Sequence, residues 1–247
     1  MSMYTAVSGV KAAALDLNTT SQNIANASTT GFKNSRAEFG DMVAGKNGIG
    51  VQTEAINQLF QQGGVISTGN DGSSGQLDLA IMGNGFFKVT DSSSISPLYT
   101  RAGSFHMDAT SRKIVNNLGQ SLQSAAGADI VVPADQTITS FNSITGTINF
   151  SDGTSAQVGL VNFPNAQGLK AVGDTNWVAT TASGQATAIA APGTGTLGNI
   201  KGGALEASNV DLTDQLVNMI IAQRNFQANA KVITTENTLS ETVINIR

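Results

Sequence analysis

The chain, 247 residues long, has no cysteine, one histidine, one tryptophan, two tyrosines and four prolines. Without cysteine there is neither a disulfide framework nor a thiolate metal site, and the composition suits a surface protein that folds without covalent help. The single histidine, His106, cannot hold a metal alone. Asp78, Asp91 and Asp108 stand singly along the sequence, no carboxylate pair is marked out for acid–base work, and no Gly-x-Ser-x-Gly elbow occurs. Charge is scarce as well: Asp, Glu, Lys and Arg make up 12%, about half the usual share. The net charge of −4 comes without any basic run, which argues against nucleic acid as a partner. No apolar stretch approaches the roughly 18 residues of a membrane span. The first residues lack the basic and apolar regions of a cleaved secretory signal. No catalytic residue, cofactor, metal or small-molecule substrate is expected.

What the sequence does contain is concentrated at its ends. Met3, Val7, Val10, Ala14, Leu17, Ser21 and Ile24 recur at alternating steps of four and three. Leu212, Leu216, Met219, Gln223, Phe226, Ala230, Ile233, Asn237 and Ile244 keep the same beat. Such a rhythm is the heptad seam of a coiled coil, and polar members such as Ser21, Gln223 and Asn237 can set register. The first helix is expected over about residues 3–27 and the last over about 211–244, with Asn209 or Asp211 as N-cap. Asp211 and Asp214 suit the positive end of the helix dipole, and Arg247 suits the negative end.

Between the helices the pattern is β. Val51–Ile56 alternates, Gly63-Gly64 reads as a turn, and Phe39, Met42 and Val43 read as a short amphipathic turn closed by Gly45–Gly50. Leu77–Ile81 and Phe86–Val89 read as two arms of a hairpin around Gly83-Asn84-Gly85. Further strands are expected at Leu98–Thr100, Ser104–Met107, Lys113–Val115, Ile130–Val132, Ile144–Phe150, Gln157–Asn162 and Trp177–Ala179, in antiparallel sheets. Ala182–Gly203 reads as a flexible loop. The fold class is therefore α+β: residues 1–30 and 208–247 as a terminal coiled-coil assembly domain, 31–76 as a connecting segment with short strands, and 77–207 as a mainly β body. Helices this one-sided need cover beyond a small β body, and neighbouring copies are the obvious source. A coiled-coil-tethered surface binding module is the other class considered; it calls for exposed aromatics or a pocket, and Trp177 and Tyr99 are few for that.

Four ordered segments resemble the bacterial flagellar rod and hook axial proteins. The helix stop Asn23–Lys33, with Asn23, Asn26, Gly31 and Phe32, is similar to that family's N-terminal signature. Leu77–Val89 and Tyr99–Phe105 match two further pieces. Leu205–Ile233, with Ser208, Asn209, Val210 and Arg224, is similar to the C-terminal signature. The resemblance implies a structural subunit, exported through the flagellar secretion channel without signal cleavage. It implies terminal helices that pair in a coiled-coil layer lining a helical tube of identical copies, with rod, hook-cap and junction proteins and the export apparatus as partners. Within the family the opening residues 6–10 and the run 39–50 look most like hook proteins, the flexible joint between basal body and filament. The middle is short for a hook protein and resembles rod proteins, distal or proximal, which are the alternative.

Overall fold

A computed structural model describes residues 2–44, 47–91 and 96–245. It divides into two compact units: residues 1–27, 34–59 and 210–247 form one, residues 28–33 and 60–209 the other.

The first unit holds helix α1 (Ser2–Ala25), helix α2 (Leu212–Asn245) and a hairpin of β1 (Ser35–Ala44) with β2 (Asn47–Gln58). Asp211 caps α2: its Oδ1 accepts the N–H of Thr213 at 2.8 Å and of Asp214 at 3.3 Å, two of the otherwise unpaired first-turn donors. Asn26 closes α1, its side-chain and main-chain N–H groups both donating to the Gln22 carbonyl. Where a short turn is expected at Phe39, Met42 and Val43, the chain runs on as the ten-residue strand β1. Two bulges, at Glu38/Phe39 and Met42/Val43, break its alternation, so the period-two signal is lost although the strand is not. Gly45 of the expected break, like Arg247, lies outside the described residues.

The second unit carries β3 (Val65–Ser67), β4 (Gln76–Met82), β5 (Phe86–Thr90), β6 (Leu98–Thr100), β7 (Ser104–Met107), β8 (Ile114–Asn116) and β9 (Ser121–Leu122). There follow β10 (Ile138–Asn142), β11 (Thr147–Phe150), β12 (Ser155–Gln157), β13 (Leu160–Val161), β14 (Lys170–Gly173), β15 (Asn176–Val178), β16 (Asn199–Gly202) and β17 (Ala204–Glu206). All pairings are antiparallel. The main sheet runs β14-β15-β6-β5-β9-β8-β7-β4-β16, with β13 also on β5, while β10-β11-β12 and β17-β3 stand apart. Alternation on β5 sends Phe87 and Val89 into one apolar cluster, shared with Leu79, Phe105, Ile148 and Phe150, and Phe86 into another, with Tyr99, Phe163 and Trp177. The main sheet is thus covered on both faces.

Several expectations change here. Gly83-Asn84-Gly85 does not make a hairpin: β4 is flanked by β7 and β16, and β5 by β6, β9 and β13. The two glycines turn the chain at positive φ, 108° and 134°, but both arms find other partners. Ile130–Val132 makes only isolated bridges, from its neighbour Asp129 to Gln123 and from Val131 to Lys113. Ile144 sits in an exposed turn before β11, and Gln157–Asn162 divides into two strands on different sheets. Ala182–Gly203 is anchored rather than loose, with Ser183 fully buried, Ala190 bridged to Leu160, and Asn199–Gly202 paired with β4. Its small residues carry no alternation, which hid the strand.

Three turns of this unit share one device. Asp71, Asp108 and Asp152 accept hydrogen bonds from the hydroxyl and backbone N–H of Ser73, Ser111 and Thr154. The hydroxyls first, then the amides, hold these carboxyls below the ordinary 3.8. A depressed folded value means that the stability they add is complete above about pH 4 and disappears as pH falls through the folded values. Urea midpoints followed by Trp177 emission are therefore expected to fall below pH 4. The fall should be shallower in a chain carrying Asp71→Asn, Asp108→Asn and Asp152→Asn; equal slopes would refute the assignment.

Candidate assembly interface

Helices α1 and α2 pack against each other in antiparallel fashion. Two contacts fix the register. A methyl group on Gly9 would lie 2.7 Å from Asn229 Oδ1, and Asn23 Nδ2 donates to Gln215 Oε1 at 3.1 Å. The step of fourteen positions from Gly9 to Asn23 is matched by a step of fourteen from Asn229 back to Gln215.

The buried line of α1 is Ala6, Ala13, Thr19, Thr20 and Asn23, and Gly9 and Asp16 complete a four-three stripe lying one residue ahead of the apolar one. A step of one residue is about 100° of helix rotation. The expected seam of Val7, Val10, Ala14, Leu17 and Ile24 is therefore turned away and half-buried, and Ser21 is exposed. On α2, Gln215 and Ala222 are buried, and Met219, Ala230 and Ile233 are half-buried; Leu212, Leu216, Gln223, Phe226 and Asn237 are exposed. Small and polar residues thus fill the contact between the two helices. Sequence periodicity found the apolar stripes and missed this one, whose signal is a heptad of Ala, Gly, Thr and Asn.

Helix α2 remains apolar well outside that contact. Leu216, Val217, Ile220 and Ile221 are each about half exposed and follow one another round the helix. At 100° per residue they span an arc of about 140° on the side opposite the buried Gln215 and Ala222, a wide apolar stripe of the kind that normally faces protein. Beside it a cleft of about 500 Å³ is lined by Asp16, Asn23, Phe39, Asp214, Asn218 and Ile221, among others. Burial pushes the Asp16 carboxyl above its ordinary value.

The signature residues have separable duties. Asn23 is 1% exposed. Its Nδ2 donates to the Ser35 carbonyl at 2.8 Å while its Oδ1 accepts the Ser35 N–H at 2.9 Å, as a paired strand would. That clamp joins the end of α1 to the start of β1. Gly31 has φ +71°, and a Cβ there would stand 2.6 Å from Ala102 N, so both conformation and space require glycine. Phe32 is half-buried, its N–H directed to the Thr29 carbonyl at 3.3 Å. Ser208, Asn209 and Val210 are half-buried ahead of α2, with Asn209 Nδ2 on the Gln61 carbonyl at 3.1 Å. Arg224 is exposed.

In the second unit three of the recognised segments meet at one point. Glu206 and Lys33 have fully buried side chains and Arg101 is 3% exposed; Glu206 Oε1 lies 2.6 Å from Lys33 Nζ, and Oε2 3.2 Å from Arg101 Nη1. Glu206 also accepts the Gly63 N–H at 3.0 Å, and Lys33 donates to the Gln61 carbonyl at 2.7 Å. Arg101 donates to the Gly83 carbonyl at 2.9 Å and lies over the Phe86 ring at 5.3 Å. Two cations share one carboxylate, so the site is net positive. Desolvation lowers the Lys33 pKa, Glu206 opposes that shift by attraction and a hydrogen bond, and Arg101 adds to it. No sequence argument paired these residues, which stand 105 and 173 positions apart. The available signal was a lone charge in each of two motifs, Lys33 and Arg101, while Glu206 is one of five charges in Leu205–Ile233.

Comparison with known proteins fits this picture at both ends and in the body. Residues 3–33 match the family model described as "Flagella basal body rod protein". Residues 80–154 match "Flagellar hook protein FlgE/F/G D1 domain" and residues 201–246 "Flagellar basal body rod FlgEFG protein C-terminal". Flagellar basal-body rod protein FlgG of Bacillus subtilis is 36% identical over 264 aligned positions, covering 100% of this chain and 98% of the relative. The chain belongs to the flagellar rod and hook protein family. FlgG of Agrobacterium fabrum is 34% identical, with 96% of each chain covered. Flagellar hook protein FlgE of Salmonella typhimurium is 29% identical, but over 411 positions, so much of that alignment is gap opposite this shorter chain. Within the rod and hook family, length and identity both favour the rod over the hook, the reverse of the order expected from the opening residues.

Proposed function

We propose that this chain is a structural subunit of the flagellar rod that polymerises into a helical tube through α1 and α2. The observation that carries the reading is the exposed apolar stripe of Leu216, Val217, Ile220 and Ile221, on the side of α2 opposite its buried Gln215 and Ala222. Neighbouring copies supply the remaining cover, pairing stripes such as Val7, Val10, Leu17, Leu216 and Phe226 in a coiled-coil layer. Other flagellar axial proteins continue the tube at its two ends, and the flagellar export apparatus delivers the chain to the basal body.

Phe226→Asp and Val10→Asp are each expected to raise the concentration needed for polymerisation by about tenfold or more, since a carboxylate placed in an apolar contact must be desolvated. The β body should remain folded by Trp177 emission. Pelleting assays and electron microscopy read the result, and tubes formed by either variant at the unmodified protein's concentration would count against the interface. A hook subunit, forming a torque-transmitting flexible joint, is the second reading, favoured by the match to hook protein FlgE along the whole chain. Straight, stiff tubes support the rod and curved ones the hook.

A further inference from the structure

We propose that copies of this chain dock by opposite charge, the cationic outer face of α2 on one copy entering the carboxylate-lined cleft of the next. The proposal rests on the rod reading and names the surfaces that would meet.

Asp16 and Asp214 line the cleft, and neither has an ion-pair partner among the described residues. Arg36, which also lines it, is engaged with Glu38 at 2.7 Å. On the outer face of α2, Arg224 and Lys231 are exposed and likewise lack ion-pair partners among the described residues. They share a stripe with the exposed Leu216 and Ile220. In a chain with only 12% charged residues, two carboxylates at the cleft and two cations on the outer face, each without an ion-pair partner among the described residues, are an electrostatic match for a second molecule.

The arrangement also sets the symmetry. At 3.6 residues per turn the middle of the Leu216–Ile220–Arg224–Lys231 stripe lies about 120° round α2 from the cleft side marked by Asp214 and Asn218. The two surfaces do not overlap, so one copy can use both at once. Pairing the cationic face with itself would set Arg224 against like charge, which disfavours a closed twofold dimer. A head-to-tail contact between unlike surfaces repeats into an open helical polymer.

The test is polymerisation of the full chain carrying Asp214→Lys or Arg224→Glu. Each variant alone places one like-charged pair at every contact, and its critical concentration is expected to rise about tenfold, the size of one lost close charge pair. An equimolar mixture of the two is expected to polymerise near the unmodified concentration, because the lysine introduced in the cleft of one then meets the glutamate introduced on the face of the other. The double variant should polymerise as well. Recovery in the mixture also shows that both variants are folded. Tubes from each variant alone, or blocked variants that neither mixing nor combination restores, overturn the charge docking and leave the rod reading intact. Failure of the unmodified chain to polymerise removes both.

Discussion

Glu206→Gln is expected to cost the β body about 3–5 kcal/mol, the usual loss when one partner is taken from a buried ion pair. The substitution keeps the size of the side chain and an acceptor for the Gly63 N–H. What it removes is the only carboxylate paired with Lys33 and Arg101 among the described residues, leaving two like charges buried together. Trp177, the sole tryptophan, is 2% exposed in the aromatic cluster of the same unit, so urea denaturation followed by its emission reads the effect directly. Adding Lys33→Met should recover part of the loss, since one stranded cation is then gone. Replacing all three groups by apolar side chains of similar volume is expected to restore stability or exceed it, because desolvation costs of such clusters often outweigh their attraction. A midpoint for Glu206→Gln within about 0.5 kcal/mol of the unmodified protein, the scale of ordinary surface changes, would mean that the cluster is not carrying the charge balance described.

The second large effect is steric. A Cβ on Gly103 would stand 1.6 Å from the Leu79 carbonyl oxygen. Leu79 in turn donates its N–H to the Gly103 carbonyl at 2.9 Å, so the two backbones are held from both sides, and β4 is itself paired on both edges, by β7 and β16. Gly103→Ala therefore has to break the pairing, with an expected loss of about 4 kcal/mol or more, in the range kept for exceptional substitutions. Gly119→Ala provides the contrast. Gly119 has φ +78° but nothing within 4 Å, and its replacement should cost only the left-handed backbone penalty of about 1–2 kcal/mol. Similar losses at the two sites would show that close approach is not what demands glycine at 103.

Much of the architecture was legible in the sequence, and the failures share a cause. The helices at Ser2–Ala25 and Leu212–Asn245 were visible because a heptad spreads its evidence over many turns. Their mutual contact was not. Periodicity marks where apolar residues fall and says nothing of which face meets which partner, and here Gly9 and Asn23 make the near contacts while Ala6 and Ala13 are buried and Val7 and Val10 only half-buried. The β strands with clean alternation, β4 to β7, were found. β1 was missed because two bulges shift its phase, and β16 because Asn199, Lys201 and Gly202 leave Ile200 as its one apolar residue. The Lys33–Glu206–Arg101 cluster was out of reach in principle, since its members are joined by topology and by no local pattern. The motifs holding them were recognisable as sequence; that they converge on a single carboxylate is information only the fold contains.

The same corner of the β body has a mechanical side. Gly31 N–H donates to the Glu206 carbonyl at 2.8 Å, and Ala207 N–H to the Gly64 carbonyl at 2.7 Å. The chain's re-entry into this unit after residue 59 and its exit at 209 therefore run side by side, with residues 28–33 beside them, closed like a purse at its drawstring. Everything between can lengthen or shrink without changing the gap between the two strands at its mouth. The turn at Ile144, where that side chain is 89% exposed, is a natural splice point: a domain grafted there would thicken the outside of the body and leave its attachment as it stands.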